Sequence, residues 1–261
     1  MLSKFKAVVW LHFLRFWRYR LSFIGLMLSE VLWILLFILA ILLFAPKEYL
    51  DIACRNAFWV VICWSIIQMN SMIVGSWMNF FISLGMIEEH LIRGISPFRV
   101  ILGRIIPSSI VSLLSTLLIA IVLNSIFEVN VLSARSPLLI LVGLVFIVVK
   151  SLSYGLSIAS LSIRTGIPHH FLEILNFMVI GILTISVESL RPPLSYLLLL
   201  VPYTAPSQLI KMGISGREYM FTESLTMSVV VATVMVLMAL YLVNHAKSWL
   251  LRNGVRAIGR M

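Results

Sequence analysis

Two charged side chains sit where charge is costly. Glu30 lies nine residues into the apolar run 21–45, and Lys150 lies in the middle of another, 137–163. At the helical rise of about 1.5 Å per residue, Glu30 is about 14 Å deep. A lone charge near mid-bilayer costs about 2.5–3.5 kcal/mol on insertion scales. The pair therefore reads either as an ion pair across a helix bundle or as two groups facing a hydrated translocation path. His169, His170 and Glu173 form the one tight group of possible metal ligands. Adjacent histidines on a helix point about 100° apart and chelate one metal poorly, so a polar turn at a membrane edge is the simpler reading, and no metal site is assigned. Cys54 and Cys63 share one apolar segment without CxxC spacing and read as small packing residues. Gln68, Asn70 and Asn79 are placed for hydrogen bonds between helices. Ser108, Ser112 and Ser115 share a helix face, as do Ser153, Ser157 and Ser160, and small residues at that spacing permit close helix contact.

Catalytic constellations are missing. The chain has no His-Glu-x-x-His, no aspartate-rich prenyl-diphosphate motif and no Gly-x-Ser-x-Gly elbow. It also lacks the Gly-x-x-x-x-Gly-Lys-Ser/Thr loop that cradles nucleotide phosphates, so it cannot itself be an ATPase. Nothing here calls for a catalytic residue or a cofactor bound by this chain.

The elements that must position these residues are membrane helices. Of 261 residues, 61% are hydrophobic and only 11% charged, with a mean hydropathy of +1.07. Soluble domains carry about 25% charged residues. The expected fold is an all-α integral membrane protein with a single transmembrane domain, 1–261, and six spans at 21–45, 57–85, 100–127, 137–163, 171–187 and 225–244. Residues 1–20 hold Lys4, Lys6, Arg15, Arg18 and Arg20 and no acid, with Leu2, Phe5, Val9, Phe13 and Phe16 at roughly helical spacing. That pattern predicts an amphipathic helix at the membrane surface. The run that follows is too long for the core of a cleaved signal, about 7–15 residues, and is read as a retained first span. Residues 245–261 form a basic tail.

Charge orients the bundle. Six spans put both termini on one side, and that side carries the entire net charge of +10. The remaining loops each balance, for example Lys47 and Arg55 against Glu48 and Asp51, or Glu128 against Arg135. The positive-inside tendency then makes both termini cytoplasmic in the cell membrane, and the basic excess needs no nucleic acid to explain it.

Two stretches stand apart from the spans. In residues 86–104, Glu88 and Glu89 open a short helix, where acids suit the positive end of the helix dipole. Leu91, Ile92 and Ile95 give it an apolar side, and Gly94 with Ser96-Pro97 stops it. A compact charged helix between two spans reads as a docking element. In residues 191–206, an apolar core of eight residues, 194–201, is bracketed by prolines. At roughly 12 Å it cannot cross the bilayer, so a re-entrant or interfacial half-helix on the outer side is expected.

This order of parts resembles the membrane subunit of an ABC exporter of the ABC-2 type. The resemblance rests on Glu88-Glu89-His90-Leu91-Ile92-Arg93-Gly94-Ile95-Ser96-Pro97 followed by Gly103-Arg104. It extends to Tyr154-Gly155 through Arg164, to Asn176-Phe177, and to Val201-Pro202-Tyr203-Thr204-Ala205-Pro206. The turn Pro168-His169-His170 departs from the pattern. The resemblance implies a dimer of permease subunits, homo- or heteromeric, forming the translocation path. It also implies a separate ABC ATPase subunit, which holds the ATP and Mg, docked on the cytoplasmic face. Glu88, Glu89, Leu91, Arg93 and Ser96 would then be the docking residues. The competing expectation is a polytopic membrane enzyme or assembly factor acting on lipid, for which only Glu30 and Lys150 speak.

Overall fold

The computed structural model describes residues 2–165 and 169–253. Ten α-helices appear in order among them, besides short 3-10 turns at Lys47–Tyr49 and Val187–Ser189: α1 Leu2–Arg18, α2 Arg20–Leu42, α3 Leu50–Ser83, α4 Met86–Ile92, α5 Pro97–Phe127, α6 Pro137–Thr165, α7 His169–Thr184, α8 Leu194–Leu199, α9 Thr204–Ser215 and α10 Phe221–Asn253. No strand occurs among the described residues. Five helices, α2, α3, α5, α6 and α10, are long and apolar enough to cross a bilayer, so the protein is an all-α, multi-pass membrane protein. The fifth expected span, 171–187, corresponds to α7, whose 16 residues reach about 24 Å, short of a full hydrocarbon core of about 30 Å.

The long α3 is the centre of the bundle. Its mid-section is mostly buried, and α2, α5, α6, α7 and α9 all pack on it. By contrast α2, α5 and α10 leave broad apolar faces uncovered, including Leu32, Trp33, Leu113, Ile121, Leu237 and Tyr241. Such faces are stable only against lipid or another apolar surface. One hydrophobic cluster fills the end of the bundle where α2 and α5 pack on α3 and α9 packs on α6, around Phe58, Ile67, Leu123 and Ile210. A second fills the opposite end, where Val74, Met78, Ile87, Ile101, Ile163 and Leu250 meet around α4.

Glycines set the closest helix contacts. A Cβ on Gly155 of α6 would lie 2.8 Å from the Asn70 carbonyl oxygen of α3, and one on Gly143 would lie 2.7 Å from the Pro206 carbonyl oxygen of α9. The buried polar groups then bond across these contacts as expected for Asn70, whose Nδ2 donates to Ser151 Oγ at 2.7 Å. Trp64 Nε1 donates to the Asn176 carbonyl at 2.8 Å, and Ser71 Oγ donates to Asn176 Oδ1 at 3.1 Å, tying α3 to α7. Ser153, Ser157 and Ser160 are buried and return their hydroxyls to carbonyls one turn back in α6, which leaves a small, self-satisfied face for packing. Cys54 and Cys63 are free and buried.

Several boundaries differ from those the sequence predicts. The helix of the sixth expected span runs past Asn244: α10 continues through Asn253, because Val243, Ala246 and Leu250 recur on one face and are buried in the cluster around α4. Hence the first part of the basic tail is helical and packed, while Arg256 and Arg260 lie outside the described residues. The N-terminal helix is observed as α1, but its inner face is Phe5, Val8, Val9, His12 and Phe16, with Phe13 turned outward. Val8 sits where a Cβ on Gly103 would come within 2.7 Å of it, so α1 packs directly on α5. The short helix expected in the proline-bounded stretch is α8, and a second helix, α9, follows it before α10, where a re-entrant outer hairpin is expected. The apolar core of the stretch became the short α8, whereas the more polar α9 is buried almost throughout.

Candidate functional site

The helix α4 is built as a rigid projection. Gly85, with φ of 67°, lets the chain turn out of α3 and begin again at once. At the other end Arg93 caps the helix and Gly94, with φ of 63°, turns left-handed. The Ile95 amide donates to the His90 carbonyl at 2.8 Å and the Gly94 amide to the Leu91 carbonyl at 3.0 Å, the two bonds of a Schellman stop. Ser96 then takes the cap position of α5 with Pro97 at its first turn, although its hydroxyl makes no capping bond.

Only one side of this helix is anchored. Ile87 is fully buried and Leu91, one turn on, packs against the same cluster. The sequence assigns the apolar side to Leu91, Ile92 and Ile95; the helix instead turns Ile87 and Leu91 inward and leaves Ile92 86% exposed. Residues four apart share a face, and Ile92 lies 100° away from Leu91. The outward face is thus an apolar knob, Ile92, beside Glu88, Glu89 and Arg93, all exposed. Glu89 and Arg93 form an i, i+4 ion pair. Leu91 and Ser96 face a small hollow of 170 Å³ closed by Leu250 and Leu251 of α10. The five predicted docking residues therefore divide into an exposed group, Glu88, Glu89 and Arg93, and a seating group, Leu91 and Ser96.

His90 stands between the two. Its ring packs edge-on to Phe81 with centroids 5.0 Å apart, and burial lowers its pKa below the ordinary value, with Arg93 adding to the effect and Glu89 opposing it. The Gly103-Arg104 pair serves packing: the Arg104 guanidinium lies 3.4 Å from the centre of the Trp77 ring, a close cation–π contact between α5 and α3.

Glu30 and Lys150 are not brought together. The Glu30 carboxylate accepts hydrogen bonds from Ser65 Oγ at 3.1 Å and Ser115 Oγ at 3.2 Å, so it joins α2 to both α3 and α5. Ser115, assigned to packing by its spacing, is thus also a donor. Lys150 is fully buried and its Nζ has no hydrogen-bond partner. Geometry explains the separation: Glu30 faces the α3–α5 side of the bundle, while Lys150 belongs to α6, which packs on α3, α9 and α10. Residues 166–168 and the side chains of His169 and His170 lie outside the described residues. Among the described residues no group of three or more His, Cys, Asp or Glu could hold a metal.

A cavity of 820 Å³ opens at the end of the bundle opposite α4. It is bounded by the end of α2, the start of α3, the α5–α6 loop, the end of α7 and α9. There Arg55 forms an ion pair with Asp51 at 2.7 Å, and Lys211 Nζ donates to the Leu183 and Ile185 carbonyls, both at 2.9 Å, closing the end of α7.

No protein-family model and no curated protein matches this chain. The functional reading therefore rests on the residues themselves.

Proposed function

We propose that the chain is the permease subunit of an ATP-driven exporter of the ABC-2 type, with α4 as the helix on which a separate ATPase subunit docks. The observation that carries this reading is the form of α4. It is a seven-residue helix with an apolar foot set in the bundle, a glycine at each end and an exposed face of Ile92 ringed by Glu88, Glu89 and Arg93. A helix held this stiffly can pass a push from a partner into α3 and α5, between which it is inserted. An exposed isoleucine ringed by charge has the make-up of a small interface centre with a polar rim.

The topology that goes with this reading has six crossings, with α7 as a short fifth span completed by neighbouring protein. Both termini and α4 then lie on the cytoplasmic side, which holds the whole net charge of +10. The uncovered apolar faces of α2, α5 and α10 would be shared between lipid and a second permease subunit, homo- or heteromeric. ATP and Mg belong to the partner ATPase. The rival reading, a membrane enzyme or assembly factor acting on lipid, loses support because its two residues are separated. Glu30 is engaged by two serines and Lys150 is sealed inside helix contacts.

Co-purification tests the proposal. Wild-type protein should retain an ATPase bearing a nucleotide-phosphate loop, and the double change Glu88→Lys/Glu89→Lys should lose it at least tenfold at equal yield and unchanged elution. Recovery of no such ATPase with the wild type, or equal recovery with the reversed charges, refutes the docking assignment.

A further inference from the structure

The cavity at the end opposite α4 has unused polar groups of two kinds. Among its lining residues, Arg135 and Arg217 are exposed, and neither guanidinium has a carboxylate within 4.0 Å among the described residues. Arg55 gives one nitrogen to Asp51, but its Nε is buried and has no partner. Gln208, only 2% exposed, lines the cavity with its Oε1 buried and unbonded. An unsatisfied buried acceptor costs about 1–3 kcal/mol, so one retained beside an open cavity points to a donor arriving from outside. The arginines call for an acceptor that carries charge, and guanidinium groups match phosphate oxygens in geometry. Lys211 is spent on backbone carbonyls, and Glu188 is the one cavity carboxylate outside the Arg55–Asp51 pair. Ile41 of α2 and Ile52 of α3 add apolar wall, and Leu43 and Phe44, just past the end of α2, are strongly exposed.

We propose that this cavity binds a phosphate diester or monoester that also carries a hydroxyl, the chemistry of a glycerophosphate headgroup. Arg135 and Arg217 hold the phosphate; the Arg55 Nε–H and Gln208 Oε1, both closed off from the cavity before binding, turn toward it to add a third donor and to accept from the ligand hydroxyl. The same chemistry arrives from two sources, a membrane phospholipid entering beside α2 or a soluble phosphorylated polyol. The site does not depend on the ATPase reading.

The test uses the whole chain in nanodiscs or mild detergent, with native mass spectrometry and thermal shift as readouts. Phosphatidylglycerol and phosphatidylmethanol carry the same charge, but only the first has hydroxyls. Wild-type protein should prefer phosphatidylglycerol several-fold, and Arg135→Gln/Arg217→Gln, two exposed changes, should weaken it on the order of tenfold or more. Gln208→Met should abolish the preference between the two lipids while leaving the weaker, charge-driven binding. Competition by glycerol 1-phosphate, with its own thermal shift, identifies a soluble source; lipid binding that glycerol 1-phosphate does not displace identifies the membrane. Equal binding of both lipids by the wild type overturns the proposal, as does unchanged affinity in the double arginine variant. Both readouts hold even if Gln208→Met fails to fold.

Discussion

Truncating Ile87 tests how α4 is held. The side chain is fully buried, the inward foot of a helix of only seven residues, and it packs among Met78, Phe81, Phe98 and Ile101. Such a helix is far too short to be stable alone, so its order comes from that foot, from Leu91 and from the Schellman stop. An Ile→Ala change in a packed site costs about 2–5 kcal/mol, part transfer energy and part cavity. At about 3 kcal/mol, the local opening of α4 should increase on the order of 100-fold, since about 1.4 kcal/mol is tenfold. The assay is amide hydrogen exchange in nanodiscs, read over residues 86–95. Ile87→Ala should speed exchange there while the middle of α3 is unchanged; Ile92→Ala, at an 86% exposed position, should leave it alone. Unchanged protection in Ile87→Ala would refute the view that the foot seats the helix. An equal loss in Ile92→Ala would show that the exposed face is already covered by part of the protein.

Three further outcomes follow from the geometry. Lys150→Met should leave stability unchanged or raise it, by up to about 2.5–3.5 kcal/mol, because an unpartnered buried cation is removed. Combined with Glu30→Gln, the effects should add within about 0.5 kcal/mol in a chemical-denaturation cycle; strong coupling would mean the two groups meet after all. Gly143→Leu should displace α9, seen as new protease cleavage within residues 204–215, since even a Cβ there lies 2.7 Å from the Pro206 carbonyl; resistance equal to wild type would contradict the close α6–α9 contact. Lastly, seated α4 holds His90 with a pKa below the ordinary 6.5, so between the two values the loosened helix binds more protons than the seated one. The seat is therefore fully stable above pH 6.5 and weakens as the pH falls, and α4 exchange, corrected for intrinsic rates, should rise toward pH 5.5. His90→Gln should flatten that profile, and a wild-type profile that is already flat would show that His90 does not sense the seat.

Much of the architecture was legible in the chain because membrane helices are written in long apolar runs, and no other backbone form satisfies its hydrogen bonds in lipid. The runs around Leu32, Ile119, Ile147 and Val234 all became long helices, and Gly94 with Ser96-Pro97 stopped α4 where expected. Packing direction was less legible. Ile87, Leu91 and Ile92 are equally apolar, and only the bundle beneath them decides which two are buried. The same holds for α9, whose Thr204, Ser207 and Gln208 look like a surface segment until α6 presents Gly143 to receive it.

The sequence by itself determined the solvent of this protein and the rough limits of its five long helices, while the fifth expected span, 171–187, became the shorter α7. Solvent and helix limits depend on composition and local order alone. Which polar groups meet depended on rotation and contact among helices far apart in sequence. Only the folded bundle could give Glu30 two serines, leave Lys150 alone, and gather Arg55, Arg135, Gln208 and Arg217 around one cavity.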